Sequence, residues 1–202
     1  MPRQPRPALL LDRDGVINVD RGFVSRREDF EWQPGIFAVA RTATRLGMAP
    51  VVVTNQSGIG RGLYTQDDFQ TLTAFMLERF AAEGAPILAV YHCPFHPDAV
   101  EQRYRAPDHD WRKPRPGMIL QARDDLDLDL ARSVLIGDRV VDLQAGAAAG
   151  VETLVLVGAA EVAAVGLPPF QRFADLAMVP DFLVRLVESR ATRIPLRTAE
   201  RQ

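Results

Sequence analysis

Asp12 and Asp14 stand one residue apart directly after the apolar run Leu9-Leu10-Leu11, and Gly15 follows them. Taken alone, the stretch reads equally well as a surface Asp-Gly turn after a short strand. Three other run ends change the balance. Thr54-Asn55 closes the β-branched run Val51-Val52-Val53, Lys113 lies in Arg112-Lys113-Pro114, and Asp138 and Asp142 follow Ser133-Val134-Leu135-Ile136. Buried strands in a parallel sheet share one carboxyl edge, and ligands bind outside that edge. Converging carboxylates repel unless a cation joins them, so a hard divalent metal is implied; magnesium takes one or two carboxylates and keeps water and phosphate oxygens as its other ligands. The substrate suited to such a set is a phosphate monoester. One carboxylate can attack phosphorus and form an aspartyl-phosphate. A second can protonate the leaving alkoxide and then deprotonate the attacking water. A hydroxyl such as Thr54 and a compact ammonium such as Lys113 can hold the remaining phosphoryl oxygens. Asp12, nearest the strand, suits the nucleophile; Asp14, nearer the mouth, suits the acid/base.

The rest of the chain must bring these groups together. Its 202 residues suit one domain, and 47% apolar with 25% charged residues is the composition of a globular protein. A net charge of −2 gives no general pull toward nucleic acid. One cysteine excludes an internal disulfide framework, no apolar run reaches membrane length, and Met1 to Pro7 lacks the apolar core of a signal peptide. The expectation is a cytoplasmic monomer with no nucleic-acid or membrane partner. Of the 24 basic residues only Lys113 is a lysine. A chain that otherwise uses arginine for every cation has kept a point charge at that one place.

Hydrophobic periodicity predicts strands at 9–11, 51–54, 87–91, 133–136 and 153–157, with a short sixth near 177–179. Helices are predicted after Pro34-Gly35 with an apolar stripe of Phe37, Ala40, Ala43 and Leu46; after a Thr65/Asp68 capping box with Phe69, Leu72, Met76 and Phe80 on one face; after Pro116-Gly117; over 140–149; and over 180–189. Asn18 to Trp32 is too long for a tight loop and reads as a flap or hairpin over the strand ends. Strands alternating with helices predict an α/β fold, a Rossmann-like doubly wound parallel sheet in one domain without a large cap, spanning residues 1–190 with a frayed tail at 191–202.

Several features have a second reading. Gly58-x-Gly60-x-Gly62 lacks the dinucleotide spacing and reads as a flexible phosphate-proximal loop. Cys93 has no base arrangement near it that rivals the aspartate pair, and His92, His96 and His109 read as loop-packing residues or vestigial ligands. Arg21 and Arg61 could meet a second phosphate or simply be solvated. Asp124-Asp125-Leu126-Asp127-Leu128-Asp129 reads as a solvated turn.

Asp12-Arg13-Asp14-Gly15, Thr54-Asn55, Lys113 and Gly137-Asp138-Arg139-Val140-Val141-Asp142 match in order the four motifs of the haloacid-dehalogenase-like phosphatases, and the stretches around the first three resemble the histidinol-phosphatase and heptose-bisphosphatase subfamily. The resemblance runs from about Leu9 to Val157. It implies Asp12 as nucleophile, Asp14 as acid/base, and Thr54 and Lys113 as ligands of the transferring phosphoryl group. It implies Mg²⁺ on the side chains of Asp12 and Asp138 and the backbone carbonyl of Asp14, with Asp142 anchoring the metal loop. Asn55, Arg112 and Arg139 would contact the rest of a small phosphorylated sugar, a heptose 1,7-bisphosphate. Histidinol phosphate is the alternative substrate, and a non-catalytic phosphosugar-binding protein on the same scaffold is the alternative of another class. Relatives of this kind often hold a structural zinc on a loop before the Arg-Lys-Pro. Here Cys93 is present, but Phe95 takes a histidine position and His109 and Trp111 fall where two cysteines would be. Cys93, His96 and His109 remain candidate ligands; the expectation is loss of zinc, with Phe95 and Trp111 packing the loop, because a structural site needs four ligands.

Overall fold

The computed structural model describes residues 4–158 and 166–192. Six strands form one parallel sheet: β1 (Ala8–Leu11), β2 (Ala49–Asn55), β3 (Ala89–Cys93), β4 (Val134–Gly137), β5 (Thr153–Val157) and β6 (Gln171–Phe173), in the order β3-β2-β1-β4-β5-β6. The chain builds outward from β1 on one side and then restarts at β4 on the other. The β1/β4 boundary is therefore the topological switch point, where a crevice opens at the carboxyl edge.

Both faces are covered, so the central strands are apolar on both sides. Leu9 and Leu11 with Val52, Ile136 and Val155 pack against α1 (Ile36–Arg45), α3 (Gln66–Ala82) and α6 (Val179–Thr192). Ala8 and Leu10 with Val51, Val53, Leu135, Leu154 and Leu156 pack against α4 (Gly117–Leu126) and α5 (Val140–Ala148). In α3 the predicted capping box is formed, with Thr65 Oγ1 accepting from Asp68 N and Asp68 Oδ2 accepting from Thr65 N; the buried face is Phe69, Leu72, Met76 and Phe80.

The structure corrects the sequence reading at six places. The sixth strand lies at 171–173, not 177–179. Leu176 and Val179 are buried at the entry to α6, whereas Gln171-Arg172-Phe173 is a three-residue edge strand with no apolar run to reveal it. In α1 the buried face is Ile36, Val39, Ala40 and Ala43. Phe37 and Leu46 of the predicted stripe are half-buried and pack at the margin of that core, Phe37 in a ring cluster with Trp32 and Phe80. β3 extends through His92 and Cys93, placing both on a strand. The flap from 18 to 32 is not a hairpin; it is closed by a single antiparallel bridge, Asn18↔Trp32, and carries a 3₁₀ turn at Arg27–Asp29. The Gly-rich segment is a buried helical turn, α2 (Ser57–Gly60), rather than a flexible loop. Residues 191 and 192, expected in the tail, complete α6; 193–202 lie outside the described residues.

Candidate active site

Lys113 is buried at the centre of the carboxyl edge. Its Nζ lies 2.9 Å from Asp12 Oδ1 and 2.6 Å from Asp142 Oδ1, and donates to the Val53 carbonyl at 2.9 Å. Three donors thus meet three acceptors brought by β1, β2 and α5. Burial works against the ammonium, but Asp12 and Asp142 outweigh it and hold the Lys113 pKa above its ordinary value. Asn55 keeps the lysine's backbone in place: its Nδ2 donates to the Lys113 carbonyl and its Oδ1 accepts from Lys113 N, both at 3.1 Å. Its amide is thus turned to the Lys113 loop, although the residue also lines the cavity.

Asp138 follows β4 and faces β1 across the switch point. It rests against Gly15, where a Cβ would lie 2.2 Å from Asp138 Oδ2, so only glycine lets the two strand ends come this close. Burial, with Asp12 and Asp142 nearby, pushes the Asp138 carboxyl up to about 7. Its Oδ1 is buried without a hydrogen-bond partner. Among the described residues, Asp12, Asp138 and Asp142 are the one group of three potential metal-ligating side chains whose ligand atoms all lie within 4.8 Å of one another. An orphaned carboxylate oxygen beside two further carboxylates fits a hard divalent cation, and the all-oxygen donor set fits magnesium. Asp142 has both oxygens engaged, Oδ1 on Lys113 and Oδ2 on Arg139 N. That leaves Asp12 and Asp138 as the side chains best free to hold the metal.

Asp138→Asn tests this assignment through stability alone. An ionised Asp138 is disfavoured by its neighbours, and with a raised folded-state pKa its penalty grows as pH rises toward about 7 and persists above it. The asparagine variant should therefore be more stable than the parent without metal, by about 1–3 kcal/mol above pH 7. Added Mg²⁺ should raise the parent's melting temperature by several degrees, roughly as its binding linkage dictates, and leave the variant's unchanged. A variant that melts lower and still responds to Mg²⁺ would remove Asp138 from the metal site.

Asp14 sits at the mouth. The buried Arg13 guanidinium grips it from one side, with Nη2 2.9 Å from Asp14 Oδ2 and Nε at 3.2 Å, and Nη2 also donates to the Val24 carbonyl. Asn18 Nδ2 donates to Asp14 Oδ1, and Gln56 Nε2 donates to Asp14 Oδ2, both at 3.0 Å. Gln56 Nε2 also donates to Thr54 Oγ1 at 3.0 Å. Because the Thr54 oxygen accepts from an amide, its own proton is left for another acceptor.

A cavity of about 500 Å³ opens over these groups, lined by Asp12, Asp14, Asn55, Gln56, Lys113 and Asp142 at its base. Its rim carries Arg61, Arg112 and Arg139, with Asp20, Phe23, Tyr64 and His96. Thr54, one residue before Asn55, is buried behind the base. Arg112 Nη1 donates to the Phe95 carbonyl and Arg139 Nη2 to Asp20 Oδ2, while Arg61 lies over the Phe23 ring. Arg21 is instead an exposed partner of Glu31 and does not line the cavity.

The histidines and the cysteine divide. His92 packs against Phe69 with its ring tilted by 32°, and burial, with Arg13 nearby, holds its pKa below the ordinary value. Burial pushes the Cys93 thiol up, the opposite of an activated nucleophile. His109 stacks on Phe95 with ring centroids 3.5 Å apart and planes 7° apart, and Trp111 meets Tyr91 edge-on. Phe95 also meets the Tyr104 ring edge-on, so ring contacts join Tyr91, Phe95, Tyr104, His109 and Trp111 in two groups. Sequence reasoning overlooked Gln56, Tyr64 and Asp20. Gln56 could have been found by asking what satisfies Thr54 in a buried position; Tyr64 and Asp20 carry no local signal.

A family model described as HAD-hydrolase-like matches residues 110–179. The chain is 53% identical over 150 residues to the D-glycero-alpha-D-manno-heptose-1,7-bisphosphate 7-phosphatase of Burkholderia mallei, covering 74% of this chain and 79% of that protein. It is 46% identical over 151 residues to the D-glycero-beta-D-manno-heptose-1,7-bisphosphate 7-phosphatase of Escherichia coli strain K12, covering 75% and 78%. Its fold is similar to a crystal structure of D,D-heptose 1,7-bisphosphate phosphatase from B. bronchiseptica complexed with magnesium and phosphate, with a TM-score of 0.75 and 31% identity over 89% of this chain and 98% of that one.

Proposed function

This chain belongs to the haloacid-dehalogenase-like phosphatases, and from that premise we propose that it removes the 7-phosphate of a D-glycero-D-manno-heptose 1,7-bisphosphate. The observation that carries the substrate reading is the rim. Three arginines stand beyond the phosphoryl site, and the one rim carboxylate, Asp20, is already paired with Arg139. A bisphosphate needs a second anion site, and arginine forks suit phosphate. A cationic leaving group such as histidinol would meet the same arginines unfavourably.

In this reading the Asp12 carboxylate attacks phosphorus and becomes an aspartyl-phosphate, while the ester oxygen leaves with a proton from Asp14. Asp14 then takes a proton from water, which attacks the aspartyl-phosphate and frees inorganic phosphate. Lys113 gives up one of its present acceptors for a phosphoryl oxygen, and the Thr54 hydroxyl donates its free proton to another, through both steps. Asp12, Asp138 and the Asp14 carbonyl would hold magnesium, whose charge would offset the repulsion between nucleophile and phosphate dianion. Asn55, Arg112 and Arg139 shape the remainder of the pocket toward the sugar.

The two relatives named above differ in anomer, so the test uses both anomers of the bisphosphate against histidinol phosphate at one Mg²⁺ concentration. The expected result is a kcat/KM for one heptose bisphosphate at least about 10²-fold above that for histidinol phosphate, as two extra arginine–phosphate contacts would give. Preference for histidinol phosphate would overturn the substrate, and silence toward every ester, aryl phosphates included, would favour a binding protein.

A further inference from the structure

Tyr64 lies at the end of a short polar chain that no part of the reaction scheme uses. Its ring is buried with Ile59 and Phe69. Gly58 makes the slot: a Cβ there would lie 2.1 Å from Tyr64 Cε1. Phenylalanine would fill the same slot, so packing does not account for the hydroxyl. That hydroxyl donates to Gln56 Oε1 at 2.5 Å, and Gln56 is itself buried.

The direction of this bond follows from its neighbours. Asp14 Oδ2 already accepts from the Arg13 guanidinium and accepts from Gln56 as well, so the end of the Gln56 amide facing it is the NH₂. Both N–H groups are then used, one on Asp14 Oδ2 and one on Thr54 Oγ1. The carbonyl end is left needing a donor, and Tyr64, which also lines the cavity, provides it. Burial, with Asp14 adding to it, pushes the Tyr64 pKa up to about 12, so the phenol keeps its proton across the working range.

We infer that Tyr64 is a positioning residue: its hydroxyl anchors the Gln56 amide, which in turn sets Asp14, whereas Thr54 is held in place by its strand, β2. Without the hydroxyl, Gln56 Oε1 is a buried acceptor with no partner, and the side chain must move or turn to satisfy it. Either motion loosens Asp14, whose remaining donors, Arg13 and Asn18, come from its own loop. The inference rests on the reading of Asp14 as the acid/base.

The test is Tyr64→Phe beside Asp14→Asn, each with enzyme in excess and Mg²⁺ present, reading alcohol release in a single turnover. Two esters are compared: a primary alkyl phosphate of a sugar, whose alkoxide needs a proton to depart, and p-nitrophenyl phosphate, whose leaving group departs without one. For Tyr64→Phe the alkyl ester should slow about tenfold and the aryl ester by less than about threefold, as expected when one buried hydrogen bond behind a general acid is lost. Asp14→Asn should show the same selectivity on a larger scale, about 10²-fold against the alkyl ester. Equal slowing of both esters by Tyr64→Phe, or no slowing, while Asp14→Asn stays selective, would overturn the relay and leave the acid/base reading standing. An unselective Asp14→Asn would overturn that reading and the relay with it.

Discussion

Asp12→Asn should abolish turnover, by at least about 10⁴-fold, while the protein still folds. The loss is that large because no other carboxylate can take over. Asp142 is tied to Lys113 and to Arg139 N, Asp138 faces β1 from β4, and Asp14 is held at the mouth by Arg13, Asn18 and Gln56. The fold should survive because asparagine has the same shape and its oxygen can still accept from Arg13 N, which donates to Asp12 Oδ1 at 2.8 Å. Lys113 loses one of its two ion pairs and keeps Asp142 and the Val53 carbonyl. Losing the Asp12 charge also relieves its repulsion with Asp138. A net stability change within about 2 kcal/mol is expected, below the cost of stripping a buried charge of every partner. The direct measurement is acid quenching during turnover of a ³²P-labelled ester: the parent should retain label on the protein and the variant none. Label on the variant would place the nucleophile elsewhere.

The site was more legible in the sequence than the fold around it, for a physical reason. A carboxylate or lysine at the end of a buried apolar run is costly without a partner, so its mere presence there announces a shared purpose. Asp12, Thr54, Lys113, Asp138 and Asp142 could be read that way; four of them gather at the β1/β4 edge, and Thr54 stands near the end of neighbouring β2. The strands β1, β2, β4 and β5 are continuous apolar runs, and α3 carries an undisguised capping box and stripe. Signals failed where tertiary contacts, not local chemistry, decide. β6 exists because Val155 and Val157 offer an open edge, not because Gln171-Arg172-Phe173 is strand-like. The face of α1 is turned by the Trp32–Phe37–Phe80 ring cluster, which joins residues up to 48 positions apart. The Gly-rich turn looked flexible because glycine is permissive, yet Gly58 is there to admit the Tyr64 ring. Gln56 is the instructive omission: a neutral side chain next to charged ones draws little notice, although it donates to both Asp14 and Thr54.

Lys113→Arg should lower kcat/KM about 10³-fold even though the charge is retained. If the site needed only a positive charge, arginine would do, and this chain uses arginine at every other basic position. What the site requires is a tetrahedral donor at one point. Lys113 Nζ reaches Asp12 Oδ1, Asp142 Oδ1 and the Val53 carbonyl, all within 2.9 Å. A guanidinium spreads its donors over a plane and cannot serve three acceptors that surround a single atom. It is also bulkier, and Lys113 is only 3% exposed, so the fork must either push Asp12 from its place or withdraw toward the cavity. Overpacking of this kind costs about 1–3 kcal/mol. Lys113→Met separates the two effects. It fits the space but leaves Asp12 and Asp142 facing each other without a cation, so it should be the less stable variant, by about 3–5 kcal/mol relative to the parent. Arginine should instead keep most of the stability and lose the chemistry. Thermal unfolding, single-turnover rates and binding of inorganic phosphate in the presence of Mg²⁺ read the three consequences apart. An arginine variant within about threefold of the parent rate would mean that the lysine serves as a bulk counter-charge, and the point-donor geometry argued for it would be wrong.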